Sequence, residues 1–193
     1  QLYTQTLSLN VDGSPADTLP ERPFGFREAW VENGEFRLNG LKTRYRMLTN
    51  PRLEHAAFAN PRAAEQYVSG LKHLNFDTVR FNPNIMMNSS SLNTREYLRA
   101  CDRLGVYNLL PMPPYDNDEM SLYREGVEKF FEHYGQYTSI IMWYTDFNTC
   151  HYQRNQDPYY LNDTEYLPER VIPPRRKAMT AERTIRALDS TRE

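Results

Sequence analysis

The sequence predicts an α/β fold in which parallel strands alternate with helices, preceded by a short antiparallel β segment. Residues 140–144 place large apolar side chains in succession, which is typical of a strand buried on both faces of a sheet. From about residue 60 onward, strand-like and helix-like segments alternate, and the strands recur at roughly thirty-residue spacing, as in parallel β-α-β units. Two Asn-Gly pairs lie before that point, and Asn-Gly is a strong hairpin signal.

The antiparallel segment is predicted from its turns. Residues 2–11 have the pattern of a Thr-rich strand that ends in a turn signal at Asp12-Gly13. The pairs Asn33-Gly34 and Asn39-Gly40 lie between runs of alternating apolar and aromatic residues. Asn and Gly tolerate the positive φ angles that both central positions of a tight hairpin turn need, so we expect a small antiparallel meander here.

Helix signals and strand-like runs then alternate. Asn60-Pro61 combines an N-cap residue with proline at the first helical position, and apolar residues follow at helical spacing. Residues 93–96 form a capping box that predicts the start of a second helix, which Gly105 ends. The predicted segments, in order, are a strand at 43–47, a helix from 60 to 74, a strand at 76–81, a helix at 93–104, a strand at 106–110, a helix at 122–134, a strand at 140–144 and a helix at 175–188.

Four β/α units are therefore predicted, whereas a complete (β/α)8 barrel has eight units and about 250 residues. Two architectures fit this number: the first half of such a TIM barrel, or a small doubly wound sheet. No Gly-rich turn follows any of the strands, so a dinucleotide-binding or phosphate-loop form of the doubly wound sheet has no support. We predict a partial (β/α)8 TIM barrel of about four units.

Composition argues against several classes of function. The 193 residues include 23 basic and 25 acidic side chains, and this net charge of −2 does not favour binding to nucleic acid. No run of about 18 apolar residues is present, so no membrane span is predicted. Cys101 and Cys150 lack the spacing of metal ligands or of a redox pair, and we predict neither a metal nor a cofactor.

Five motifs occur along the chain in the order expected for one known family. They are Phe24-Gly25-Phe26-Arg27-Glu28 with residues 36–40, then residues 71–80, Cys101 to Val106, Ser139 to Trp143, and Leu188 to Arg192. Together they resemble glycoside hydrolase family 2, the group of β-galactosidases, β-glucuronidases and β-mannosidases. The resemblance implies an immunoglobulin-like domain that leads into a catalytic TIM barrel, with the motifs at the domain junction, near barrel strands two to four and ahead of strand five.

The resemblance also implies a division into domains. Residues 1–23 would be the last strand and linker of the immunoglobulin-like β-sandwich, and residues 24–193 the N-terminal half of the TIM-barrel glycoside hydrolase domain. The nucleophilic Glu of the family lies on strand seven and would be absent from this chain. The remainder of the protein's own chain would therefore be a partner of this half. The family also favours a secreted or periplasmic location.

Glycosidic cleavage in a retaining enzyme uses two carboxylates about 5–5.5 Å apart. In the resembling family, the acid/base Glu follows an Asn a few residues after the strand-four Trp. Counting from Trp143 without gaps places Asn148 at the Glu position, and matching the family Asn to Asn148 places Thr149 there. Neither side chain can serve as an acid with a tuned pKa, so the usual acid/base is replaced. Asp146 is the nearest carboxylate, either as a proton donor with a raised pKa or as a loop cap.

Five further residues are candidates for substrate binding. The resemblance places Arg80 at the end of strand two, where its guanidinium would hold a carboxylate of the missing nucleophile, the alternative being a structural ion pair. Asn82 could bond a sugar hydroxyl or serve a turn. Trp143 could stack on sugar or fill the barrel top. Tyr115 and His151 could line a subsite or pack within their loops.

Together, the resemblance and these substitutions predict a fragment of a glycoside hydrolase that hydrolyses O-glycosidic bonds in carbohydrate substrates, with the usual acid/base Glu replaced. The fragment alone is expected to be inactive because it holds only half of the site. The alternative is a non-catalytic carbohydrate-binding pseudoenzyme barrel, which would bind sugar without turnover.

Overall fold

The computed structural model describes residues 2–49, 60–80, 91–112, 120–144 and 179–192. An N-terminal region of short antiparallel strands is followed by alternating strands and helices. The antiparallel strands are β1 (Tyr3–Gln5), β2 (Ser8–Val11), β3 (Ser14–Thr18), β4 (Arg22–Phe24), β5 (Ala29–Glu32), β6 (Glu35–Leu38) and β7 (Leu41–Lys42). The alternating elements are β8 (Met47–Thr49), α1 (Pro61–His73), β9 (Thr78–Arg80), α2 (Ser91–Leu104), β10 (Tyr107–Pro111), α3 (Met120–Tyr134), β11 (Ile140–Tyr144) and α4 (179–188).

Four strands form a parallel sheet in the spatial order β8-β9-β10-β11, which is also their order along the chain. A helix lies between each successive pair of strands. The α/β class and the parallel sheet predicted from the sequence are therefore confirmed. Within the described residues the sheet is open and does not close on itself.

The main hydrophobic core lies between this sheet and the helices. Each helix places one apolar stripe inward, as the spacing of its apolar residues predicts. Its large, almost fully buried side chains include Val68, Tyr97, Leu98 and Val127 from the helices and Val79, Leu110 and Ile140 from the strands. A smaller cluster covers the opposite face of the sheet, where Leu109 and Ile141 pack with Ala29 of the meander.

The predicted Asn-Gly hairpins are present. Strands β5, β6 and β7 form an antiparallel meander, and both of its turns have positive φ angles at Asn and Gly, 54° and 75° at Asn33-Gly34 and 49° and 82° at Asn39-Gly40. Tyr45, which follows the meander, lies against the amino end of the parallel sheet, with its ring 6.1 Å from that of Tyr107, the first residue of β10. This contact lies at the start of β10, at the opposite end of that strand from Pro111.

Several predicted boundaries are wrong. The first parallel strand is Met47–Thr49 rather than 43–47, because Asp77 accepts a hydrogen bond from the Arg46 backbone N–H at 2.7 Å and the sheet begins only beyond it. The second helix starts at Ser91, so the capping box at 93–96 lies inside the helix. Residues 2–11 form two strands, because β1 pairs with β4 whereas β2 pairs with β3.

Candidate active site at the carboxyl end of the sheet

The carboxyl ends of the four parallel strands lie along one edge of the sheet. Thr49 is paired with Arg80 on the next strand, Arg80 with Leu109, and Pro111 with Tyr144. In α/β enzymes this edge carries the groups that bind and transform substrates. Among the sequence-predicted site residues, Arg80 lies here, as its position at the end of a strand predicted.

Arg80 meets Tyr144 at this edge. The guanidinium carbon of Arg80 lies 4.8 Å from the centre of the Tyr144 ring, within the range of a cation–π interaction. Strands β9 and β11 are separated by β10, and two strand spacings amount to about 9.5 Å, so the side chains of Arg80 and Tyr144 meet across β10. Burial raises the pKa of the Tyr144 hydroxyl to about 12, while the charge of Arg80 acts in the opposite direction.

A β-bulge in β11 decides which side chain of that strand lies on the same face of the sheet as Arg80. Asn108 is paired with Ile140, but Leu109 is paired with Met142, so Ile141 is an extra residue in β11. Strict alternation from Ile140 would turn Tyr144 toward the helices and Trp143 toward Arg80. The bulge reverses this pattern, because the side chains of consecutive strand residues point to opposite faces.

Trp143 consequently packs on the helix-facing side of the sheet. Its ring centre lies 5.9 Å from that of Phe130 and 5.2 Å from that of Phe131, both on α3. Its indole N–H donates a hydrogen bond of 2.8 Å to the Asp189 carboxylate. In the structure, Trp143 thus contacts α3 and the segment after α4, on the opposite face from Arg80.

Asp189 and Arg192 hold β11 in place from the helix-facing side of the sheet. Arg192 forms an ion pair with Asp189 and donates hydrogen bonds to the carbonyl oxygens of Gly135, at 2.6 Å, and Ile140, at 3.0 Å. Burial alone would raise the pKa of Asp189, but hydrogen bonds from Thr191 and the indole, together with the Arg192 charge, lower it to about 2. These contacts fix the strand that carries Tyr144.

A second charged cluster lies at the amino end of the sheet. Burial and the nearby Arg192 charge lower the pKa of Arg27 to about 9, and burial raises the pKa of Asp102, which accepts a hydrogen bond of 2.7 Å from the Ser139 backbone. Arg27 and Asp102 line a cavity of about 120 Å³ that also includes Tyr107 at the start of β10. This cluster is at the opposite end of the strands from Arg80 and does not belong to the same site.

Five of the candidate residues lie outside the described part of the chain: Asn82, Tyr115, Asp146, Asn148 and His151. Tyr144 was not among the sequence candidates, although an aromatic residue at the carboxyl end of a buried strand is a signal that could have identified it. Side-chain alternation along β11 without the bulge would have placed Trp143 on this face instead.

Arg80 gives this edge of the sheet a side chain that is suited to binding a carboxylate. A guanidinium presents N–H donors in a plane, which suits bidentate binding of a carboxylate.

In the described ranges, no three His, Cys, Asp or Glu side chains are grouped as metal ligands, and no helix combines the length and the apolar character needed to cross a membrane.

Solved structures with this arrangement of strands and helices are known. A glycosyl hydrolase family 2 member from Bacteroides cellulosilyticus matches 99% of this chain with a TM-score of 0.61 and 21% sequence identity. This chain therefore has the fold of the matching part of that structure. The β-glucuronidase of Parabacteroides merdae (15% identity) and that of Dictyoglomus thermophilum (14% identity) also match, each with a TM-score of 0.61 over 99% of this chain.

This chain spans 24%, 23% and 32%, respectively, of the length of those three structures. No family model and no curated protein matches its sequence. The family 2 motifs recognised in the sequence therefore agree with the fold, at an identity low enough that the fold alone is shown.

Proposed function

We propose that residues 24–193 are the N-terminal half of a TIM-barrel domain in a family 2-type glycosidase, and that residues 1–23 are the last strand and linker of a preceding β-sandwich. The complete protein would hydrolyse O-glycosidic bonds in a carbohydrate substrate. The barrel is supported by the sequential order of the four parallel strands, because a doubly wound sheet reverses its strand order at a switch point.

The observation that carries the catalytic proposal is the position of Arg80 at the carboxyl end of β9, beside Tyr144. A retaining glycosidase needs an ionised carboxylate to attack the anomeric carbon. A guanidinium within hydrogen-bonding distance lowers the pKa of such a carboxylate and orients it. Arg80 would serve a nucleophile from the remainder of the barrel in this way.

Proton donation is assigned to Asp146, two residues beyond Tyr144 in the sequence. Desolvation beside aromatic residues raises the pKa of a carboxyl group toward the range that a general acid requires. We expect Asp146→Asn in the full-length protein to slow hydrolysis of a glycoside with a poor leaving group far more than that of an activated 4-nitrophenyl glycoside. Equal turnover of both substrates by the variant and the wild type would remove Asp146 from this role.

A second candidate is a carbohydrate-binding pseudoenzyme, which is favoured by the uncharged residues Asn148 and Thr149 at the position of the usual acid/base. Its barrel would bind an oligosaccharide at the same edge without cleaving it. Calorimetric titration with oligosaccharides beside a turnover assay separates the two candidates, because binding without turnover supports only the pseudoenzyme.

The direct test is the activity of the full-length protein on a panel of 4-nitrophenyl glycosides, including the β-glucuronide because two similar structures are β-glucuronidases. We expect turnover of one member, and a loss of about 100-fold in kcat/KM for Arg80→Lys, which keeps the charge but not the planar fork. The matched control is Arg46→Lys, since Arg46 pairs with Asp77 at the amino end of β9. Absence of turnover across the panel would contradict the glycosidase.

A further inference from the structure

We infer that Tyr144 is a positioning residue for Arg80: its ring holds the guanidinium at the carboxyl end of the sheet, where Arg80 is proposed to bind a carboxylate. The inference rests on the proposed function in that it extends the role of Arg80. It adds a residue that the sequence motifs did not point to, at a position that only the structure brings next to Arg80.

The contact places the Arg80 guanidinium over the Tyr144 ring. Its central carbon lies over the ring, 4.8 Å from the ring centre, which is within the range of a cation–π interaction. An arginine side chain has many rotamers, and contact with a ring restricts them to those that keep the guanidinium at this edge.

Both the burial and the backbone support this role. Tyr144 is half-buried at the edge of the sheet, and a cation–π contact strengthens as the pair is withdrawn from water. The bulge at Ile141 is what turns the ring to this face, and bulges recur where a side chain must be re-aimed beside a site. The hydroxyl is not needed for this role, because its raised pKa keeps the ring neutral.

The kinetic test compares Tyr144→Phe and Tyr144→Leu in the full-length protein. Phe retains a ring beside Arg80 and should stay within about twofold of the wild-type kcat, whereas Leu should lower kcat about tenfold or more with a smaller change in KM. The control is Tyr107→Leu, which removes a ring from the same face at the amino end of β10, next to Tyr45 rather than Arg80. A Leu variant with the wild-type kcat, or a Phe variant as slow as the Leu variant, overturns the inference.

A second measurement does not depend on turnover. The Arg80 side-chain N–H resonance of the chain, assigned by its loss in Arg80→Lys, should be shifted upfield by the ring current in the wild type and in Tyr144→Phe. In Tyr144→Leu it should move back toward the positions of exposed arginines. An unchanged resonance in Tyr144→Leu overturns the inference. Absence of turnover in the wild type, with the resonance moving as expected, contradicts the proposed function alone.

Discussion

Arg192 binds three backbone carbonyl groups. Its guanidinium donates to the carbonyl oxygens of Gly135, Tyr137 and Ile140, in the segment from the end of α3 to the start of β11. Only 8% of the residue is exposed, and its carboxylate partner Asp189 also accepts the Trp143 indole N–H. One side chain thus joins the segment after α4 to the start of the strand that carries Tyr144.

We predict that Arg192→Met lowers the free energy of unfolding by about 3 kcal/mol, because it leaves a buried carboxylate without its partner. Arg124→Met is the control. Arg124 pairs with Glu128 on the surface of α3 with 56% of its side chain exposed, and its loss should cost less than about 0.5 kcal/mol. Urea denaturation of both variants measures the difference, and equal losses would contradict the anchoring role.

Asp189 predicts a specific acid sensitivity. Its pKa is lowered from 3.8 to about 2 in the folded chain, so it binds protons more weakly there than in the unfolded chain. The stabilisation, about 2 kcal/mol, is fully present above pH 4 and is lost as the pH falls toward 2. We expect the stability difference between the wild type and Asp189→Asn to shrink over this interval in urea titrations. A difference that stays constant from pH 5 to pH 2 would show that the pKa of Asp189 is not lowered.

At the scale of elements, turn chemistry and apolar spacing were sufficient for most of the architecture. The Asn-Gly turns form where the sequence places them, since few other residues adopt two successive positive φ angles. Helix α1 begins as predicted, with the Asn60 side chain accepting from the Ala63 N–H at 2.8 Å. The start of α2 was missed because the sequence also permits helical turns before the capping box, and local capping does not decide between them.

Two glycines in different backbone conformations should respond in opposite directions to the same substitution. Gly70 lies in α1 with open space where a Cβ would be, so Gly70→Ala should stabilise the chain by about 0.5–1 kcal/mol. Gly34 has a φ of +75°, and Gly34→Ala should destabilise the chain by about 1–2 kcal/mol although nothing contacts the added methyl group. Thermal unfolding of both variants provides the measurement. Two shifts of the same sign would contradict this dependence on backbone conformation.

At the scale of the molecule, burial is uneven. The parallel sheet lies between two apolar clusters, whereas the region before it leaves large apolar side chains in water, including Phe26 at 76% and Leu9 at 60% exposure. Tyr3, Phe24 and Phe26 form an exposed group of three rings whose centres lie 5.6–5.7 Å apart. Surfaces of this kind favour association.

We therefore predict that the chain self-associates at micromolar concentration, with a sedimentation coefficient that rises with concentration. Replacing Phe26 with Ser and Leu9 with Lys should reduce this dependence, because both side chains are exposed and their removal costs the core nothing. The control is the double substitution of Arg124 and Lys129 by Gln on the charged surface of α3. A wild-type chain that sediments as a monomer at all concentrations would contradict the prediction.

The sequence by itself determined the α/β class, the hairpin turns, the helical faces and the place of Arg80 at the end of a strand, because these depend on residues close together along the chain. Strand pairing was decided only by the tertiary structure. The pairing of β8 with β9 begins beyond the hydrogen bond from the Arg46 backbone to Asp77. The pairing of β11 with β10 leaves Ile141 as an extra residue in β11. That single extra residue exchanged the faces of Trp143 and Tyr144, because side chains alternate along a strand and the partner strand, not the local sequence, fixes the register.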